Sequence, residues 1–313
     1  MTAQTKQPPV FVVGVHRSGT TLLNLMLDSH SQLWIPYESH FIVRLHRKYV
    51  LNGQGDFESP VFRRALVEEI LGDHFVKDWE VDVTPDEVDV DACRDLSSAI
   101  DAVYSAHAAK AGKTRWGDKT PSYVYHADLL NELFPECKFI HLVRDGRDVA
   151  RSVVRRHWGP DDLVSALREW ARKVEVCDKM LRMLPPGRRS TLRYEDLVEK
   201  PGDSLRGLCE FLDLPFEESM LQYQGRSAEK LGQRRSSTYH SGLMGAPSKD
   251  FVQQWKREMS PVDQSIAQEV AGEMLDYFGY EPGRRNHPLK AWGRFRHKID
   301  ERRSWKTRKG RAQ

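Results

Sequence analysis

Two stretches of the chain carry residue types whose spacing suits anion chemistry. The first is FVVGVHRSGTTLL, Phe11 to Leu23, where Gly14, Arg17, Ser18, Gly19, Thr20 and Thr21 fall between an apolar run and a leucine-rich segment. Glycines in such a strand-to-helix turn permit positive φ and close backbone approach, and the amides that open the helix at Thr20 point at an anion. The hydroxyls of Ser18, Thr20 and Thr21 add donors. Against the phosphate-loop template G-x-x-x-x-G-K-[ST], Gly14, Gly19 and Thr21 match, but Thr20 stands where the lysine belongs. The second stretch is KFIHLVRDGRDVARSVVRR, in which Arg144, Arg147, Arg151, Arg155 and Arg156 gather on a strand end and the helix after it, with Ser152 among them.

A nucleoside triphosphatase holds Mg²⁺ with the loop hydroxyl and with a carboxylate that follows another strand. Here that second strand ends in Arg144. The expectation is therefore a polyanion site that works without a metal, with Arg17 supplying the cation that the missing lysine would give, and this disfavours a kinase or a GTPase. Arginine suits the task because its planar fork matches phosphate oxygens. Arg147, Arg151 and Arg155 are equally readable as a solvated basic helix face, whereas Arg144 occupies the turn itself.

The elements that must position these residues follow from apolar spacing. Val10 to Val15 reads as a central parallel strand, and a helix starts near Thr20. Segments 38–50, 60–75 and 96–110 have helical spacing, with the acidic, proline-marked Val81 to Asp91 as a surface connection. Lys138 to Val143 is a second strand, with helix resuming at Asp148. A long helix is expected over Leu163 to Leu184, a third strand over Ser190 to Tyr194, and helices over Asp203 to Leu212 and Pro261 to Phe278, the last capped by Ser260. Gly225 to Lys249 is a polar connection. Strands alternating with helices predict an α/β fold of phosphate-loop type, a parallel sheet with helices on both faces.

The 313 residues can bury a substantial core, and the simplest division is one domain over 1–283 with a basic tail over 284–313. That tail holds twelve Lys/Arg against Asp300 and Glu301; it is +10, so against +3 for the whole chain the other 283 residues carry −7. The four cysteines are widely spaced, without a C-x-x-C pair or a histidine at metal spacing, which fits a reducing compartment. MTAQTKQPP does not read as a secretory leader, and no apolar run reaches membrane-spanning length, so the expected location is cytoplasmic.

GVHRSGTTLL followed by HLVRDGRDVARSVV resembles the two signature segments of sulfotransferases that use 3′-phosphoadenosine 5′-phosphosulfate. The likeness is closest to the bacterial branch related to tyrosylprotein sulfotransferases, with His16 in place of the proline of PRSGTT, and it runs from about residue 10 to 260. The resemblance implies that Arg17, Ser18, Gly19, Thr20 and Thr21 bind the 5′-phosphosulfate and that Arg144 and Ser152 bind the 3′-phosphate, with Arg156 as a second ligand. WIPYESHFI resembles the place of a glutamate general base, which puts that role on Glu38. GDKTPSY resembles a lysine-bearing segment and points to Lys119, and LRYEDLVEKP makes Tyr194 a nucleotide neighbour. Ser236 and Ser237 lie where related enzymes keep a serine near the transferring group.

Sulfuryl transfer is an in-line displacement that demands positioning and neutralisation of oxygen charge, for which Arg17, Lys119 and the loop amides are suited without a metal. A carboxylate base contributes about 10²–10⁴-fold. Other readings stay open: Glu38 as a helix-capping carboxylate beside Ser39, Lys119 as an ordinary surface-turn lysine, His40 as a rival base, and Asp118 as either orienting Lys119 or pairing with a neighbouring arginine. His141, inside an apolar strand, reads as a packed core histidine.

Acceptor specificity is expected from 40–110 and 225–250, which are mixed polar and aromatic. They suit a small alcohol, phenol, sugar or lipid headgroup without choosing among them. In the tail, Trp292, Phe295 and Ile299 at helical spacing among basic residues suit either docking on the acidic body or peripheral contact with an anionic membrane. No nucleic-acid partner is expected. The rival functions are a small-molecule kinase with a degenerate loop and a non-catalytic nucleotide sensor.

Overall fold

A computed structural model describes residues 7–156, 158–224 and 248–284. Five strands form one parallel sheet: β1 (Val10–Val13), β2 (Leu33–Trp34), β3 (Arg115–Asp118), β4 (Lys138–Val143) and β5 (Arg189–Arg193), in spatial order β2-β3-β1-β4-β5. The central strand β1 pairs Val10 with Gly117 of β3 on one side and with Lys138 of β4 on the other. Successive side chains along a strand face opposite ways. Phe11 and Val13 accordingly enter one apolar cluster with Phe139, while Val10 and Val12 enter another with Ile140 and Leu142.

The first of these faces is covered by α2 (Phe41–Leu45), α3 (Pro60–Leu71), α4 (Leu96–Lys110) and α5 (Ala127–Leu133). The second is covered by α1 (Thr20–Asp28), α8 (Tyr194–Glu199) and α9 (Pro201–Leu212). A third cluster joins the ends of β1 and β4 to α6 (Gly146–Val154), to α7 (Leu163–Arg182) and to the helices Gln254–Glu258 and Pro261–Tyr277. Ser260 caps the last of these through the amide of Asp263, as its sequence predicts. Among the described residues no helix is long and apolar enough to cross a membrane.

The fold matches the expected α/β architecture, with differences in detail. Residues 38–40 are loop, and α2 begins at Phe41 and runs into a π-helical turn, His46–Leu51. α6 starts at Gly146 and α9 at Pro201, both earlier than their spacing suggests. Strands β2 and β3 were not predicted. β2 is two residues long, and β3 is written Arg-Trp-Gly-Asp, a pattern with no apolar alternation. Gly117 is needed because a Cβ there would lie 2.7 Å from the Val10 carbonyl. Arg115 is buried by donating to the carbonyls of Pro8 (2.7 Å) and Leu212 (2.6 Å), and that burial lowers its pKa to about 10. Residues 225–247 and 285–313, with Ser236, Ser237 and nearly all of the basic tail, lie outside the described residues.

Candidate active site

In open α/β sheets, ligands bind at the carboxyl ends of the strands. The predicted site residues gather there: Glu38 beyond β2, Lys119 beyond β3, the Arg17–Thr21 loop beyond β1, Arg144 beyond β4 and Tyr194 beyond β5. Read across the sheet, they stand in that spatial order.

The loop turns through two left-handed residues, Arg17 (φ 71°) and Gly19 (φ 92°). Gly14, expected to supply positive φ, is not among them. Its lack of a side chain serves close approach, since a Cβ would meet the Leu142 carbonyl at 2.5 Å. Gly19 is doubly constrained, because a Cβ there would also lie 2.3 Å from the Tyr194 ring. It precedes α1 without any side-chain cap, and the first turn of α1 has no acidic residue. First-turn amides have no partner within the helix, so this end is free to face an anion. The Ser18 hydroxyl is buried with no hydrogen-bond partner among the described residues.

Around the loop stand three guanidinium groups. Arg17 Nε donates to Ser152 Oγ at 3.0 Å, and Arg144 Nη1 donates to the Arg17 carbonyl at 3.0 Å. Arg144 Nη2 reaches the Phe251 carbonyl (2.7 Å), and its guanidinium lies 4.5 Å above the Tyr194 ring. Burial, with Arg156 and Arg144 nearby, lowers the Arg17 pKa to about 10. Arg17, Arg144, Ser152, Arg156 and Tyr194 thus lie together in one cluster.

The other basic residues of that segment do not join it. Arg147 is buried against Asp145 (2.7 Å) and stacks 3.6 Å over Trp255. Arg151 and Arg155 both pair with Glu258. These three tie α6 to the helix Gln254–Glu258.

Glu38 and Lys119 form a second cluster. Lys119 is buried and donates to Glu38 Oε1 at 2.9 Å, with its ammonium 4.9 Å from the Tyr37 ring. His40 Nε2 meets Glu38 Oε2 at 2.9 Å. Burial alone would raise the Glu38 carboxyl, but Lys119 and His40 together hold it well below the usual carboxylate range. Glu38 does not cap α2; the residue at that position is His40, whose side chain makes no capping bond. Asp118 does not orient Lys119 either. It is buried, accepts from the Tyr104 hydroxyl at 2.6 Å, and burial raises its pKa. Its role is to hold β3 against α4.

Two contributors had little signal in the sequence. Ser39 donates its amide to Thr120 Oγ1 (2.9 Å), and its hydroxyl lies 2.9 Å from the Tyr123 hydroxyl. These bonds pin the loop that carries Glu38 and His40 to the turn Pro121–Tyr125 after Lys119. His16 is the other contributor: burial lowers its pKa, and Glu38, His40, Lys119 and Lys173 are the charges that act on it. Its replacement of a proline in the loop was the visible clue. His141 is a fully buried core histidine as expected, with its pKa lowered to about 4 by burial.

A glycine-turned loop without its lysine is thus flanked by a guanidinium cluster and by a lysine–carboxylate pair. Residues 8–218 match the Sulfotransferase family, so the chain belongs to that family and is an enzyme of the sulfotransferase class. It is 25% identical over 282 residues to protein-tyrosine sulfotransferase A of Caenorhabditis elegans, covering 88% of this chain and 68% of that one. It is 28% identical over 296 residues to nodulation protein NoeE of Sinorhizobium fredii, covering 87% and 65%. The chain thus spans about two thirds of the length of each relative. Among solved structures it shares its fold with the sulfotransferase domain of the Synechococcus PCC 7002 olefin synthase, at TM-score 0.59 and 23% identity over 90% of this chain and 98% of that one.

Proposed function

We propose that the chain moves the sulfuryl group of 3′-phosphoadenosine 5′-phosphosulfate to a hydroxyl or amine of an acceptor, by in-line displacement with Glu38 as base. The observation that carries this reading is the position of the Glu38–Lys119 pair beside a loop whose other flank holds Arg17, Arg144 and Arg156. The cradle residues fit a donor with two separate anionic groups. Arg144, Arg156 and Ser152 would hold the 3′-phosphate, Tyr194 would flank the nucleotide, and Ser18, Thr20, Thr21 and the amides after Gly19 would hold the 5′-phosphosulfate.

Glu38 is kept ionised, so it can accept a proton, yet while bound to Lys119 it is a weak base. Donor binding offers Lys119 sulfuryl oxygens to neutralise. As its ammonium turns to them, the Glu38 carboxylate regains basicity next to the attacking atom. The acceptor oxygen or nitrogen then forms its bond to sulfur as the bond from sulfur to the 5′-phosphate oxygen breaks, and the acceptor proton goes to Glu38. Fixed donors aimed at the developing charge supply the main stabilisation.

The relatives named for protein tyrosine favour a phenolic hydroxyl as acceptor. A metabolite, carbohydrate or glycolipid hydroxyl suits the same chemistry. Calorimetry with 3′,5′-bisphosphoadenosine and with ATP, with and without Mg²⁺, tests the donor. Tight binding of the bisphosphate independent of Mg²⁺ is expected; Mg²⁺-dependent ATP binding without affinity for the bisphosphate would overturn the proposal in favour of a kinase. An acceptor panel read by mass gain of a sulfuryl group identifies the second substrate.

A further inference from the structure

Both oxygens of Glu38 are engaged, and by different partners: Oε1 by Lys119 and Oε2 by His40, each at 2.9 Å. A carboxylate only accepts hydrogen bonds. Because Glu38 is held ionised, the hydrogen of the His40 contact resides on Nε2. In the neutral imidazole, Nδ1 is then the acceptor for the Ser122 hydroxyl, 3.2 Å away. The result is a directed chain from Ser122 through His40 to Glu38, which fixes the histidine tautomer.

The backbone supports a specific purpose for this arrangement. His40 has φ 59°, a left-handed conformation uncommon for a residue with a Cβ. It is imposed from outside the residue: Ser39 is tied to Thr120 and Tyr123, and the Ile42 amide donates to the Tyr123 hydroxyl at 3.1 Å. The Phe75 ring packs 4.3 Å from the imidazole and limits its rotation. Strain maintained by surrounding contacts is characteristic of functional positions. Of the ionisable groups near His40, Glu38 on its own loop bonds it, while Asp118 at the end of β3 and His16 in the loop after β1 interact with it through charge.

We propose that His40 is a positioning residue for the transfer step. It keeps Oε2 occupied and the carboxylate plane fixed, so that Oε1, released when Lys119 turns to the sulfuryl oxygens, is the atom that takes the acceptor proton. This rests on the assignment of Glu38 as base.

The test uses the full chain and the phosphosulfate donor with water as acceptor, following release of the bisphosphate, so that no acceptor need be known. His40→Ala is expected to lower kcat about 10–100-fold with the donor KM within twofold, a loss in turnover alone. His40→Gln, which keeps an N–H donor, is expected to recover most of kcat. Unchanged kcat in His40→Ala, or a His40→Gln variant no faster than His40→Ala, overturns the positioning role. Equal losses of kcat and bisphosphate affinity in both variants would also overturn it, in favour of a structural role. Glu38→Gln separates the two levels: full activity in that variant defeats the base assignment and this inference together, whereas an inactive Glu38→Gln beside a fully active His40→Ala defeats this inference alone.

Discussion

The two halves of the strand edge handle charge in opposite ways. On the β1, β4 and β5 side, Arg17, Arg144 and Arg156 crowd together, and burial with mutual repulsion lowers the Arg17 pKa to about 10. On the β2 and β3 side, Lys119, Glu38 and His40 satisfy one another through bonds of 2.9 Å. The first half gathers like charges, whereas in the second opposite charges meet. Under the proposed function, binding and transfer are separable physical tasks, built from different strands of one sheet.

Substitutions can break that separation or sharpen it. The largest effect is expected for Glu38→Gln, which should lower transfer about 10²–10⁴-fold while leaving bisphosphate affinity within a few-fold, checked by turnover beside calorimetry. Arg144→Ala should do the reverse. It removes a buried cation and costs binding about 2–5 kcal/mol, with a smaller change in turnover at saturating donor. Equal loss in both quantities for either variant would merge the two halves. Gly19→Ala places a methyl group against Tyr194 at a positive φ, and should lower thermal stability by about 1–3 kcal/mol together with donor affinity.

A pH experiment probes the foundation of the cradle. Glu195 accepts from the Asp145 amide at 3.0 Å and from the Tyr280 hydroxyl at 3.1 Å, and burial raises its pKa to about 7. Burial likewise raises Asp148 to about 6. Between the ordinary carboxylate range and pH 7, the folded chain therefore holds protons that the unfolded chain has released. Stability contributed by these groups is present at the acid end of that window and falls as pH rises through it. Denaturant unfolding of Glu195→Gln across pH 5–7 should show a flatter decline than the native chain. The smallest effect is expected for Arg155→Ala, whose ion pair with Glu258 is exposed: a stability change of about 0–1 kcal/mol and unchanged bisphosphate affinity.

Legibility in the sequence followed the same division. The cradle was readable because β1 and β4 are apolar, β-branched runs ending in glycine and arginine turns, which are local signals. Even there, nothing local distinguished Arg156 from Arg151 and Arg155, since the sorting is done by Glu258 on a helix a hundred residues further along. The transfer half was readable only as a resemblance. Its strands are a two-residue segment and an Arg-Trp-Gly-Asp run, and both exist because neighbouring backbone supplies the pairing. The conformation of His40 depends on Thr120 and Tyr123, which bond its neighbours Ser39 and Ile42 from the segment after β3 and leave no periodic trace.

The pairing of Val10 with Gly117 and Lys138 has a kinetic consequence. Both partners of the central strand lie over a hundred residues away, so closing the sheet is a high-contact-order step and a slow one. The loop after β1 can acquire its two flanks only when that step is complete. Recovery of donor binding during refolding should therefore coincide with the final cooperative phase, rather than with the early appearance of helix.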